Sequence, residues 1–142
     1  MAKIKHIAIA SQDPDKTAEF FKEVFDLEEV GKVDSANASG YYLSDGNINL
    51  AILNFHSEVV AGEEFGTDYA GLHHIGFQVD DAEATEQRLR HKNSSPRDDI
   101  NDALHSGMGS GHGGMNVETK YAGPEGIMID VSQSGWVGTS GD

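Results

Sequence analysis

Residues 4–9 read IKHIAI and residues 72–77 read LHHIGF, two copies of one pattern that decides the fold. A shift of the chain by the distance from His6 to His74 superimposes them. In the first copy Ile4, Ile7 and Ile9 lie among Lys5, His6 and Ala8, a short β-prone run that predicts a strand, and the second copy repeats the pattern. Because a repeat of this kind indicates two supersecondary units that share one core, we interpret residues 1–60 and 70–132 as two modules of a single domain, 1–142.

A helix-start signal follows each copy. Asp13 and Pro14 combine a carboxylate that can cap free N–H groups with a proline suited to the first helical position, so a helix is predicted from Pro14 to about Phe25. Asp81 occupies the corresponding position in module two and predicts a second helix to about His91, with a thinner apolar face.

Further strands are predicted after the first helix, at residues 40–43 and 47–55, joined by an Asp45-Gly46 hairpin turn. In module two, strands are predicted at residues 115–120 and 127–131 around the Pro124-Glu125-Gly126 turn. Residues 56–70 and the glycine-rich segment 93–116 are predicted as loops, and the tail after residue 131 as irregular. Each half therefore forms a βαβββ module, and the fold class is α+β.

The composition excludes several classes of function. Ten Lys and Arg residues against 24 Asp and Glu residues give a formal charge of −14, which argues against binding nucleic acid or an anionic membrane. The absence of cysteine excludes disulfides, thiolate metal ligands and a cysteine nucleophile. No apolar run approaches about 18 residues and no signal-peptide pattern is present, so we expect a soluble cytoplasmic protein.

His6 and His74 are the candidate metal ligands, because the repeat places them at the same point of two first strands. Two-fold repetition brings both imidazoles to one locus, as metal coordination requires. For each histidine, the alternative is a partly buried strand residue that hydrogen-bonds a neighbour. His73 has the opposite pleat direction if the strand alternates regularly, so we expect it to face the helix layer or an interface.

Three segments together resemble the vicinal oxygen chelate superfamily: IKHIAIASQDPDKTAEFFKEVF, LHHIGFQVDDAEATEQRL and YAGPEGIMIDV. This group includes glyoxalase I, methylmalonyl-CoA epimerase, extradiol dioxygenases, fosfomycin-modifying transferases and bleomycin-binding proteins. The resemblance extends from residue 3 to about residue 132. It implies the glyoxalase/bleomycin resistance/dioxygenase fold, in which two βαβββ modules form a curved mixed sheet that holds a divalent metal ion in the enzymes.

The resemblance also implies a set of metal ligands. His6 and His74 match the family's two histidines, and Asp130, six residues after Pro124, matches a carboxylate that is usually Glu. The fourth ligand of glyoxalase and epimerase relatives falls on Ala51, which cannot coordinate a metal. Two imidazoles and one carboxylate with open positions suit Fe(II), and also Mn, Ni, Co or Zn.

Two further residues are candidates for catalysis. Tyr121 lies near the position of a site tyrosine in extradiol enzymes and could donate a hydrogen bond, although a half-buried strand tyrosine is the alternative. His112, in the glycine-rich segment, could act as a general acid or base, although an exposed loop histidine is the alternative.

The resemblance implies a metal-dependent enzyme, dioxygenase-like or glyoxalase-like, whose small-molecule substrate chelates the metal ion through neighbouring oxygens. The reaction is a ring-cleaving dioxygenation, a lyase or isomerase reaction, or a group transfer. A metal-free protein that binds a small ligand, as bleomycin-resistance proteins do, is the alternative, and an acidic surface would suit a cationic ligand. The resemblance also implies a homodimer, because relatives of this length usually form one and the pairing buries exposed sheet edges.

Overall fold

The computed structural model describes residues 1–105 and 118–140. Module one contains, in chain order, β1 (Lys3–Ala10), α1 (Pro14–Phe25), β2 (Glu28–Asp34), β3 (Ala38–Ser44) and β4 (Asn49–Phe55), followed by the short helix α2 (Glu58–Ala61). Module two contains β5 (Gly71–Gln78), α3 (Ala82–His91), α4 (Asp98–His105), β6 (Glu118–Ala122), a 3₁₀ turn (Pro124–Gly126) and β7 (Met128–Ser132).

The seven strands form one mixed sheet in the order β2-β3-β4-β1-β5-β7-β6. The first strand of each module pairs in parallel with the last, β1 with β4 and β5 with β7, and β1 and β5 meet antiparallel at the centre. The two modules are thus joined through their first strands, which brings the repeated histidines together. The predicted α+β fold class is confirmed.

The two predicted helices begin at the predicted caps. The side chain of Asp13 accepts a hydrogen bond from the Lys16 amide, and Pro14 occupies the first turn of α1. The side chain of Asp81 likewise accepts from the Ala84 amide at the start of α3. No residue of α3 is buried, as its thin apolar face predicts, whereas α1 buries Ala18.

Three elements were not predicted from the sequence. β2 carries only one buried side chain, Val33, so its sequence has no strand periodicity, and pairing with β3 determines its conformation. α2 and α4 lie in segments predicted as loops. α4 packs through Ile100 and Leu104, a single apolar pair at helical spacing that is too short to stand out in the sequence.

The prediction for His73 is wrong, because the strand does not alternate regularly there. Ala8 pairs with His74 whereas Ile9 pairs with Leu72, so His73 is an extra residue that forms a β-bulge. The bulge turns His73 to the same face as His74, where its ring packs against Phe55.

Two layers of apolar side chains sandwich the sheet. The concave face carries the larger core, to which both modules contribute and against which residues of α2 and α4 pack. α1 and α3 cover the opposite face with separate, smaller cores. Among the described residues, no helix has the length and apolar character needed to cross a membrane.

Candidate metal centre

Three side chains converge between β1, β5 and β7. Nε2 of His6 lies 3.0 Å from Nε2 of His74, and Oδ2 of Asp130 lies 3.1 Å from Nε2 of His74 and 4.0 Å from Nε2 of His6. All three residues are buried, with exposures of 0%, 3% and 0% for His6, His74 and Asp130. The structure therefore brings together the three ligands that the sequence predicts.

Asn49 orients His6. The Asn49 Nδ2 group donates to the Val137 carbonyl at 2.9 Å, so Oδ1 of Asn49 is the acceptor that faces Nδ1 of His6 at 2.8 Å. Nδ1 of His6 therefore carries the proton, and the lone pair of Nε2 faces the centre. Metal-binding histidines in proteins are commonly held by such a hydrogen bond on the other ring nitrogen.

His73 orients His74 in the same way. Nε2 of His73 donates to the Ala61 carbonyl at 2.6 Å, which leaves its Nδ1 to accept from Nδ1 of His74 at 2.8 Å. The lone pair of His74 Nε2 therefore also faces the centre. Burial lowers the pKa of His74, and that of His73, to about 4, so both rings are neutral near pH 7.

Asp130 presents one bound and one free oxygen. Nζ of Lys120 donates to Oδ1 at 2.6 Å, whereas Oδ2 has no hydrogen-bond donor among the described residues. Burial alone would raise the pKa of Asp130, but the charge of His74 when it is protonated in acid, and that of Lys120, hold the pKa of Asp130 well below its usual range. The carboxylate is therefore ionised.

This arrangement fits a divalent cation. Two nitrogen lone pairs and one carboxylate oxygen, all within 4.8 Å of one another, face a point from which solvent is excluded. Three acceptors in such proximity repel one another unless a positive charge lies between them. Two imidazoles and a carboxylate are ligands that Fe(II), Mn(II), Co(II), Ni(II) and Zn(II) accept.

A buried polar network continues beyond Asp130 and was missed by sequence reasoning. Nζ of Lys120 lies 3.6 Å from Oε1 of Glu118, and Oε2 of Glu118 accepts from the Trp136 indole N–H at 3.0 Å. The Trp136 ring stacks on His6, with centroids 4.8 Å apart and planes 1° apart. Of these residues, only Lys120 has a signal in the sequence. It precedes Tyr121 on a predicted strand, so the two side chains point to opposite faces of the sheet.

Ala51 occupies the position in module one that Asp130 occupies in module two. Ala51 pairs with Ala8 across β4 and β1, and Asp130 pairs with Gly76 across β7 and β5. The repeat superimposes Ala8 on Gly76, so Ala51 and Asp130 are equivalent. Module one therefore supplies no carboxylate at this position.

Of the two predicted catalytic residues, Tyr121 is described by the structure and does not lie at the centre. Tyr121 lies on the opposite face of β6 from Lys120, packed with Val79 and Val131, and its hydroxyl donates to Oε1 of Glu86 at 3.0 Å. Burial and then Glu86 raise the pKa of Tyr121 to about 12. His112 lies outside the described residues.

A cavity of about 330 Å³ lies beside the centre, at the end where β5 and β7 begin. Its wall is mainly apolar and includes one candidate ligand, His74. The lining residues are Phe65, Leu72, His73, His74, Ile75, Glu125, Gly126, Ile127 and Met128.

The sequence as a whole matches a known family. A sequence model of the Glyoxalase/Bleomycin resistance protein/Dioxygenase superfamily matches residues 3–131. A search of curated protein sequences finds no significant match.

Several solved structures share the fold. A hypothetical protein from Bacillus halodurans C-125 has a TM-score of 0.71 and 18% identity over 92% of this chain and 93% of that protein. A methylmalonyl-CoA epimerase in complex with methylmalonyl-CoA and NH4+ has a TM-score of 0.68 and 24% identity, covering 93% of this chain and 94% of that one. A variant of Streptomyces coelicolor methylmalonyl-CoA epimerase in complex with 2-nitronate-propionyl-CoA has a TM-score of 0.67 and 22% identity, with coverages of 99% and 98%.

Proposed function

Because this chain belongs to the Glyoxalase/Bleomycin resistance protein/Dioxygenase superfamily, we propose that it is a metal-dependent enzyme whose ion is held by His6, His74 and Asp130. One observation carries the proposal. The three candidate ligand atoms lie together in a solvent-excluded space, and a hydrogen bond to Nδ1 of each imidazole leaves the Nε2 lone pairs facing the space beside Oδ2 of Asp130.

The substrate class is a small molecule with two neighbouring oxygens that chelate the ion at positions the protein leaves open. A divalent ion bound here supplies Lewis-acid stabilisation of negative charge on those oxygens. The chain's own residues orient the ligands and exclude water: Asn49 and His73 fix the imidazole rings, and the Trp136 ring covers His6.

The ligand set favours dioxygenase-like chemistry over epimerisation. Two histidines and one carboxylate with open positions are typical of non-haem Fe(II) oxygenases. Epimerase and glyoxalase relatives use a fourth ligand in proton transfer from carbon, and Ala51 cannot take that role. Two further buried ionisable groups lie beside Asp130: Lys120 pairs with Asp130, and Glu118 pairs with Lys120.

Metal stoichiometry tests the proposal directly. Wild type, His74→Ala and the control His91→Ala, which changes an exposed histidine on α3, are purified without a histidine tag and dialysed against each candidate ion. We expect about one ion per chain in wild type and the control and none in His74→Ala, because two ligands rarely hold a labile ion against water. Equal metal content in wild type and His74→Ala would contradict the proposal.

The reaction class needs a separate assay. Oxygen uptake by the Fe(II)-loaded protein is measured with catechols, and isomerisation is measured with α-hydroxyketones. Oxygen consumption with a catechol that His74→Ala abolishes would support dioxygenase-like chemistry. Turnover of the hydroxyketone without oxygen uptake would favour the glyoxalase-like reaction instead.

A metal-free ligand-binding protein is the second candidate, and the Lys120–Asp130 ion pair favours it, because this pair already compensates the buried carboxylate. In that case the apolar cavity beside His74 would hold the ligand. Absence of bound metal from wild type after dialysis against every candidate ion would support this candidate.

A homodimer remains a prediction from the family resemblance. Light scattering at tens of micromolar should give roughly twice the chain mass of 15.3 kDa. A mass of one chain would contradict it.

A further inference from the structure

Among the described residues two lysines are buried, and they differ in what their ammonium groups contact. Nζ of Lys5 bonds the side-chain oxygens of Asn47 and Ser140, at 2.5 and 3.5 Å. Nζ of Lys120 instead bonds Oδ1 of Asp130, a candidate metal ligand, at 2.6 Å. A lysine charge is seldom buried in a protein unless a partner compensates it, and for Lys120 that partner is a candidate metal ligand.

We propose that Lys120 is a positioning residue of the metal centre, which holds one oxygen of Asp130 so that only the other faces the two imidazoles. The inference rests on the proposed metal-binding function. Asp130 would then bind the ion through Oδ2 alone, and the ammonium group would keep the second oxygen from coordinating. This restriction leaves more positions open for a chelating substrate than a bidentate carboxylate would.

The backbone fixes Lys120 in the required place. Lys120 and Asp130 are direct partners across β6 and β7, so their side chains share the concave face. The side chain of Asn101 on α4 binds both backbone groups of Lys120: its Oδ1 accepts from the amide at 2.8 Å and its Nδ2 donates to the carbonyl at 3.0 Å. The outer strand β6 is thereby held at the residue that bears the ammonium group.

The same network reaches the other side of the centre. Nζ of Lys120 lies between two carboxylates, 2.6 Å from Oδ1 of Asp130 and 3.6 Å from Oε1 of Glu118, which compensate its buried charge. Glu118 in turn accepts from Trp136, whose ring stacks on His6. Lys120 is thus part of one connected set of contacts that fixes a carboxylate ligand and an imidazole ligand together.

The Lys120→Met variant tests the inference with Co²⁺ as the probe. Co²⁺ affinity is measured by competition with a chromophoric chelator, and the visible absorption band reports coordination, since its intensity falls as the coordination number rises. We expect Lys120→Met to bind Co²⁺ more tightly by about tenfold or more, because a nearby ammonium no longer repels the ion. We also expect a weaker band, because both oxygens of Asp130 become free to coordinate.

Lys5→Met is the matched control, because it removes the other buried ammonium group, which touches neither Asp130 nor Glu118. It should leave both the Co²⁺ affinity and the band at wild-type values. If Lys120→Met does not fold, the double variant Glu118→Gln/Lys120→Met removes one buried charge of each sign. In the double variant the band should still weaken, since its intensity follows the freed oxygen rather than net charge.

The outcomes separate this inference from the proposed function. Wild type that binds Co²⁺, together with a folded lysine variant of unchanged affinity and unchanged band, would overturn the role of Lys120 and leave the metal site standing. Wild type that binds no Co²⁺ would overturn the proposed function and this inference with it. Tighter binding with a weaker band, found only when Lys120 is replaced, would support both.

Discussion

The two modules place the same residue at the centre of the sheet but support it differently. In each module the histidine follows a bulged residue: Lys5 precedes His6, and His73 precedes His74. In module one the histidine's Nδ1 bonds Asn49 on the neighbouring strand, whereas in module two it bonds the bulged residue itself. The repeat therefore supplies the two imidazoles, and each half supplies its own means of orienting them.

The modules differ more strongly in charge. Among the described residues, module two contributes the ion-paired groups at the centre, Asp130, Lys120 and Glu118, whereas the equivalent of Asp130 in module one is Ala51. If module one had a carboxylate at position 51, that carboxylate would occupy a fourth ligand position. The difference between the modules is therefore what leaves one side of the proposed metal centre open.

The largest effect is expected from Asp130→Ala, which removes the charge that distinguishes module two. Metal affinity should fall by about 100-fold or more, and unfolding free energy by about 4 kcal/mol, because Lys120 loses its closest counter-charge inside the protein. Chelator competition and guanidinium unfolding measure the two effects. Asp130→Asn keeps an oxygen for Lys120 and should lose less stability; equal losses in both variants would contradict the ion-pair explanation.

Acid should lower the free energy of unfolding of the metal-free protein, because the unfolded chain protonates His74 of β5 more readily than the folded protein does. Burial lowers the pKa of His74 from 6.5 to about 4, so between these values the unfolded chain binds a proton that the folded protein excludes. The stability from neutral His74 is therefore complete above about pH 6.5 and lost as pH falls towards 4, by about 3 kcal/mol. Denaturation at pH 7.5 and 4.5 measures it. His74→Gln should lose less on acidification, and an equal loss would refute the assignment.

A steric difference between the modules predicts that Gly76→Ala is destabilising. A Cβ at Gly76 would lie 2.7 Å from Cβ of His6 and 2.8 Å from the Trp136 ring. We expect a loss of about 2 kcal/mol and weaker metal binding, since His6 must move. The reciprocal change in module one, Ala8→Gly, should cost only about 1 kcal/mol and leave metal binding intact. Wild-type metal affinity in Gly76→Ala would show that the ring stack does not hold His6.

The smallest effect is expected from restoring symmetry with Ala51→Glu. A carboxylate at the position equivalent to Asp130 should strengthen metal binding by about tenfold and reduce turnover, because it fills an open position. Isothermal titration measures the affinity. Ala51→Gln has the same shape without the charge and should strengthen binding less. Weaker binding in the glutamate variant would mean that Ala51 does not face the ion.

Local sequence signals predict much of the fold. Short β-prone runs and the Asp-Pro and Asp caps are properties of short segments, so β1, β5, α1 and α3 were predicted close to their observed bounds. β2 and α4 were missed because a strand with one buried side chain and a helix with one apolar pair have no local signature. Their conformations depend on pairing with β3 and on packing under the concave face.

The sequence by itself determined the repeat, and with it the pair His6 and His74, because short apolar runs are encoded locally; the resemblance to the superfamily then implied Asp130. Only the tertiary structure decided what surrounds them. The bulge at His73 arises from the pairing of β5 with β1, the contact of Lys120 with Asp130 joins β6 to β7, and the stacking of Trp136 on His6 joins β1 to the chain after β7. Such contacts depend on strand register and on the path of the chain in space, and neither can be deduced from the spacing of residues that are close in sequence.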